Sequence, residues 1–227
     1  MRFVLTLMLF ASASASAVQA GTFTMPKGCT AFLSVQQHGC IAAHYWTCEG
    51  NNPGEHWSGE LNQDGLIYVG QIDNEAQWLK SYFIPRNEEK TLITPAADPA
   101  SLSTLLDTGL DTYDFTLNTP NGLERAVGYD RIAERNVMIG DEVLHRTEYS
   151  IRITDAAGEA VFEATGSEFV SSTHLRFFSG VGEVTAPGVT QTYNDSPVRF
   201  IYPGEKGFLS DEPIYDCAAL SARHVIQ

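Results

Sequence analysis

At 227 residues with a formal net charge of −14, the chain is long enough to bury its own core and too acidic to favour phosphate backbones or anionic lipid surfaces. Its 43% hydrophobic content excludes an intrinsically disordered polymer, and no stretch approaches the roughly 20 apolar residues that cross a bilayer as a helix. Nucleic acid is therefore not an expected partner, and no membrane span is expected after the first 20 residues.

Those first residues carry the three parts of a secretory signal. Arg2 is followed by an apolar run over residues 3–11, then by small residues ending in Val18-Gln19-Ala20. Signal peptidase requires small side chains at the first and third positions before the cut, which favours cleavage before Gly21, with Ala17 as an alternative end. The expected organisation is a signal peptide over 1–20 and one β-rich domain over 21–227, exported to the periplasm or beyond. Losing Arg2 takes the net charge from −14 to −15.

The four cysteines, Cys29, Cys40, Cys48 and Cys217, form an even set that suits an oxidising compartment. If residues 41–47 are a strand, Cys40 and Cys48 lie about 26 Å apart at roughly 3.3 Å per residue, too far for a bridge. His38-Gly39 has the composition of a hairpin turn, and counting outward from it sets Cys29 opposite Cys48. The expected pairing is Cys29–Cys48 with Cys40–Cys217; Cys29–Cys40 with Cys48–Cys217 is the alternative.

Turn signals then recur every ten or so residues, with β-branched and aromatic residues between them, the pattern of an all-β domain. A second hairpin is predicted over 55–72 around Asp64-Gly65, placing Trp57 opposite Ile72, Gly59 opposite Gly70 and Leu61 opposite Tyr68. A strand over 76–84 follows. Pro85, Pro95 and Pro99 break the pattern over 85–99. A short helix is predicted over about 99–108, with Asp98 as N-cap, Pro99 at the first helical position, Gly109 as the stop and Leu102, Leu105 and Leu106 on its buried face.

The second half reads as a meander. Tyr113, Phe115 and Leu117 alternate with polar residues, Thr119-Pro120-Asn121-Gly122 turns the chain, and a strand over 123–130 returns. Residues 143–154 place Tyr149, Ile151 and Ile153 on one face, 160–170 come back after a loop at 155–158, and 175–184 close the run with glycines that let a strand bend. Residues 185–213, marked by four prolines, read as mostly irregular. A closing helix is predicted over 216–224. The fold class is thus mainly β: a single antiparallel, half-barrel-like sheet with one short helix packed against it.

No motif commits the chain to a chemistry. His44 and His56 lack the spacing of a zinc site, and bridged cysteines cannot ligate, so no metal or other cofactor is expected. Ser179 has no nucleophile motif around it. Asp107, Asp111 and Asp114 do not follow a calcium-loop spacing. Glu148, Glu163 and Glu168 could contain a glycosidase pair only if the fold sets two of them at the required separation. Aromatic residues remain: Phe115, Tyr149, Phe162 and Phe177 fall on inward faces of successive strands and are the candidate ligand-binding residues of an apolar cleft. Plain core is the competing reading of the same four side chains.

The stretches at 29–48 (CTAFLSVQQHGCIAAHYWTC) and 98–115 (DPASLSTLLDTGLDTYDF) resemble a family of small uncharacterised exported proteins of Gram-negative bacteria. That resemblance implies a periplasmic setting and brings no catalytic residues. In its order of elements, the meander with a helix laid against it also resembles the half-barrel lipoprotein carriers of the periplasm. The expectation is a non-catalytic binding protein for an apolar small molecule or an envelope partner. The alternative is a hydrolase assembled from dispersed groups, with His44, His56 and His145 as candidates.

Overall fold

A computed structural model describes residues 21–217; the predicted signal peptide and nearly all of the predicted closing helix lie outside the described residues. The chain builds one antiparallel, open, curved sheet of 13 strands. They are β1 (Cys29–Gln37), β2 (Ile41–Cys48), β3 (His56–Asn62), β4 (Gly65–Ile72), β5 (Trp78–Phe83), β6 (Glu88–Asp98), β7 (Leu110–Thr119), β8 (Gly122–Ile139), β9 (Glu142–Thr154), β10 (Ala160–Ser171), β11 (Arg176–Ala186), β12 (Val189–Asn194) and β13 (Pro197–Ile201). The helix α1 (Leu102–Thr108) joins β6 to β7. Neighbours in sequence are neighbours in the sheet from β1 to β12, while β13 returns to pair with β1.

Only Asp195 and Ser196 stand between β12 on one edge and β13 on the other. Three extended steps reach about 10 Å, so both edges of the sheet must come that close at this point. The sheet therefore curls around an interior. The rings and aliphatic side chains of β7, β9 and β10 form one apolar cluster within it, including Phe115, Leu117, Ile151 and Ile153. Leu33, Val35, Tyr45, Leu144 and Phe178 form a second. The third centres on α1, where Leu102 and Leu105 pack with Ala76 and Val170.

Both disulfides are as expected, Cys29–Cys48 and Cys40–Cys217. The turn that led to them differs. Gln37 pairs with Ile41, leaving a three-residue turn in which Gly39 and Cys40 both take positive φ. A bulge between Ala31 and Leu33 then shifts the register back by one, restoring Cys29 opposite Cys48. The outer face of this hairpin is also covered: the Phe23 ring lies 5.1 Å from that of His44, and Leu209 and Ile214 donate backbone N–H bonds to Ser34 and Gln36. Burial on both faces explains the run of apolar residues in β1 and β2.

Five other expectations need correction. The second hairpin turns one step earlier, with Asn62 opposite Gly65, and a bulge beside Glu60 leaves Glu60 opposite Tyr68 and Ser58 opposite Gly70. Gly59 and Gly70 therefore do not face each other. Residues 85–99 are not a break: after a 3₁₀ turn at Ile84–Arg86 they form β6. The segment at 185–213 contributes β12 and β13, and β8 runs on to Ile139. Asp98 ends β6, so α1 is capped instead by Ser101, whose hydroxyl accepts from Thr104 N–H, while Gly109 closes it at φ 87° as predicted.

Candidate functional site

The concave face of the sheet encloses a cavity of about 570 Å³. Side chains alternate across a strand, so residues two apart share the inner face. By that rule Ser58 and Glu60 enter from β3, Tyr68, Gly70 and Ile72 from β4, Tyr113 and Phe115 from β7, and Tyr149 and Ile151 from β9. Phe162, Ala164 and Glu168 enter from β10, Asp130 from β8, and Phe177 and Ser179 from β11, while Arg176, the first residue of β11, also lines the cavity although it is out of step with Phe177. Tyr193 of β12 and Asp195 complete the wall where the two edges approach.

All four aromatic candidates, Phe115, Tyr149, Phe162 and Phe177, line this one cavity. Phe115 and Tyr149 belong to the buried cluster, with Trp78 edge-on to Phe115 at 5.7 Å; Phe162 and Phe177 are half-buried. The sequence reading did not place the polar half of the wall, Glu60, Asp130, Glu168, Arg176 and Asp195, and weighed only Glu168 of these for a role, in a possible glycosidase pair. A signal for two of them was available. The turn at 119–122 sets Gly128 opposite Tyr113 and Asp130 opposite Asp111, continuing the inward row of Ala126. Glu168 shares strand parity with Phe162 and Ala164. Glu148 and Glu163, weighed beside it, lie on the outer face in ion pairs with Arg131 and Arg152, so no pair forms from these three.

The polar wall has an unusual electrostatic state. By accessible area Glu60, Asp130, Glu168 and Asp195 are half-buried, because the cavity reaches them, yet protein surrounds them. Removal from bulk water disfavours the carboxylate form. It pushes Glu60 up to about 7, with Asp195 adding to the rise and Arg176 opposing it. It pushes Glu168 up to about 8, reinforced by Asp130 and Glu60, and Asp130 to about 7, reinforced by Asp111. Asp195 rises to about 6. Burial also raises the Tyr68 phenol, to about 12, although its hydroxyl shares a hydrogen bond of 3.1 Å with Ser81. Tyr113 and Tyr149 are raised by the same cause, and the Tyr149 and Tyr193 hydroxyls bond to each other across the gap between β9 and β12.

Arg176 is the only basic side chain on this wall among the described residues. The residue is 6% exposed, and its guanidinium lies over the Tyr45 ring at 3.8 Å. Two of its nitrogens, Nε and Nη1, are buried without a hydrogen-bond partner. Burial pulls its pKa below the ordinary arginine value.

The histidines do not converge. His44 is buried on the outer face of β2, where its Nδ1 meets Ser34 Oγ at 2.9 Å. His56 packs edge-on to Phe32 and shares a small surface pocket with His174. His145 receives a hydrogen bond from Asn136 N–H at the bulged part of β8. None of the three weighed for a hydrolase reaches the main cavity. Ser179 does reach it, without a histidine on the same wall. The arrangement can bury an apolar body against rings, donate hydrogen bonds from protonated carboxyls and phenols, and present one positive charge. No family model matches the chain, and neither a curated protein nor a solved structure matches it.

Proposed function

We propose that this is a non-catalytic binding protein of an exported compartment that holds a small, largely apolar molecule inside its curved sheet. The observation that carries this reading is the cavity of about 570 Å³ lined by Phe115, Tyr149, Phe162 and Phe177. Small-molecule sites occupy some 300–1,000 Å³, with mainly apolar walls and a few convergent polar groups. The meander with α1 packed in its concavity supports the likeness to the half-barrel carriers, at the level of architecture. Two disulfides, and the lack of a described helix long and apolar enough to cross a membrane, fit an oxidising exported setting.

The test is direct. An uncharged fluorophore such as phenylnaphthylamine should bind the native protein one to one, with enhanced emission. Ser58→Phe, which places a ring into the cavity from β3, should weaken that binding roughly tenfold or more without unfolding the protein. Binding that is absent, or unchanged in Ser58→Phe, would contradict the reading.

A further inference from the structure

We infer that the cavity's ligand is an amphipathic organic acid, with its anionic group seated on Arg176 and its apolar body along the aromatic wall. This rests on the reading of the cavity as a small-molecule site and adds the chemistry of what enters it.

Arg176 is a buried charge without an ion-pair partner among the described residues: it is 6% exposed, and its Nε and Nη1 have no hydrogen-bond partner. A buried guanidinium left in that condition is costly, because neither water nor a partner replaces its hydration. The ring of Tyr45 at 3.8 Å offers only a face contact and satisfies none of the N–H donors. Nε and Nη1 donate to no carboxylate and no backbone carbonyl, so through them Arg176 ties no elements together. A fold that keeps such a group unsatisfied at the wall of a cavity is built to satisfy it when the cavity is filled.

At Arg176 itself, whose Nε and Nη1 lack acceptors, an anion is favoured over a cation. Glu60, the carboxyl that couples most strongly to Arg176, is raised to about 7 by burial and by Asp195, so about half of it is protonated at neutral pH. Glu168 is held neutral more firmly. Neutral carboxyls donate hydrogen bonds, as the Tyr68 hydroxyl does, so the group beside Arg176 meets donors and a full positive charge. The chain's net charge of −14 does not attract anions from a distance, so selectivity must come from this local set.

The experiment compares three competitors of equal chain length against the bound uncharged fluorophore: decanoate, decanol and decyltrimethylammonium. With the native protein at neutral pH, decanoate should displace the fluorophore at a concentration roughly tenfold or more below that of decanol, the factor expected of one charge-assisted hydrogen bond. The ammonium should be the weakest of the three. Arg176→Met should erase the preference for decanoate while leaving decanol and the fluorophore bound, and should raise the melting temperature of the ligand-free protein. A structural role for Arg176 would move that temperature the other way. Arg176→Lys, which keeps the charge, should retain part of the preference. Equal displacement by decanoate and decanol, displacement best by the ammonium, or an Arg176→Met protein that is destabilised would overturn the inference and leave the cavity reading standing. Failure of the fluorophore to bind the native protein overturns both.

Discussion

Gly180 shows how tightly single positions are constrained around the cavity. A Cβ built on it would lie 1.9 Å from the carbonyl oxygen of Ser167 on the adjacent strand β10. The contact is with backbone, so no side chain can swing aside. The register of β10 against β11 shifts beside it, between Ser167 and Phe169, next to Ser179 on the cavity wall. Gly180→Ala should therefore cost about 1–3 kcal/mol in urea unfolding, the range for overpacked sites. A change within about 0.5 kcal/mol, as at an ordinary surface position, would show that the bulge gives way freely. At this scale the aromatic wall was legible, because Phe115, Tyr149 and Phe162 sit on strands whose alternation is regular. Glu60 was not. The dipeptide Asp64-Gly65 signals a turn centre, but the Asn62 side chain accepts from Asp64 N–H at 2.8 Å and the chain reverses one step sooner. A one-residue slip exchanges the two faces of a strand, and here it moved a carboxylate from outside to inside.

Helix α1 owes its position to partners that are far away in sequence. Leu102 N–H bonds to the Glu75 carbonyl, the Glu75 carboxylate accepts from Ser103 N–H at 2.8 Å, and Ala100 N–H bonds to Gln77 Oε1. These contacts fasten the first turn to the loop between β4 and β5. Leu105, 1% exposed, then packs in the cluster with Leu102, Ala76 and Val170, against which Ile132 and Phe177 also lie. Seven residues form too short a helix to persist alone, so its stability comes from this packing. Leu105→Ala should cost roughly 2–5 kcal/mol by denaturant titration. Because Phe177 lies in both that cluster and the cavity wall, the same variant should weaken fluorophore binding. Stability unchanged within about 0.5 kcal/mol would mean that the leucine face is not buried. The helix was readable from its leucine spacing and Gly109. Strands β6, β12 and β13 were hidden by their prolines, each of which stands where no ladder donor is required. Pro95 lies in the gap of the β6 register between Ile93 and Asp98, Pro187 in the hairpin between Ala186 and Val189, and Pro197 at the first position of β13.

The molecule as a whole should couple its stability to pH through the interior it encloses. The curl of the open sheet, whose two edges approach at residues 194–197, places Asp195 beside the cavity and surrounds Glu60, Asp130 and Glu168 with protein. In the unfolded chain these carboxyls have ordinary values near 4, whereas in the fold Glu60 and Asp130 stand at about 7 and Glu168 at about 8. Between those limits the native state holds protons that the unfolded state has released. Stability therefore falls as pH rises, and the contribution present at low pH is lost as pH passes through 7 and 8. His44 and His56 act in the opposite sense: burial lowers both to about 4, so their contribution is complete above 6.5 and is lost only as pH falls toward 4. Below 6.5 the two sets partly cancel, and above it only the carboxyls act. Ligand-free protein should thus lose on the order of 2–3 kcal/mol between pH 6.5 and 8.5. For a chain of this length that corresponds to a fall in melting temperature of about 5–10 °C. Glu168→Gln, which removes the most strongly raised group while keeping its shape, should flatten the decline and melt above the native protein at pH 8.5. A melting temperature that is constant or rising from pH 6.5 to 8.5, or an undiminished slope in Glu168→Gln, would show that these carboxyls are ionised in the fold and that the interior is wetter than its walls imply.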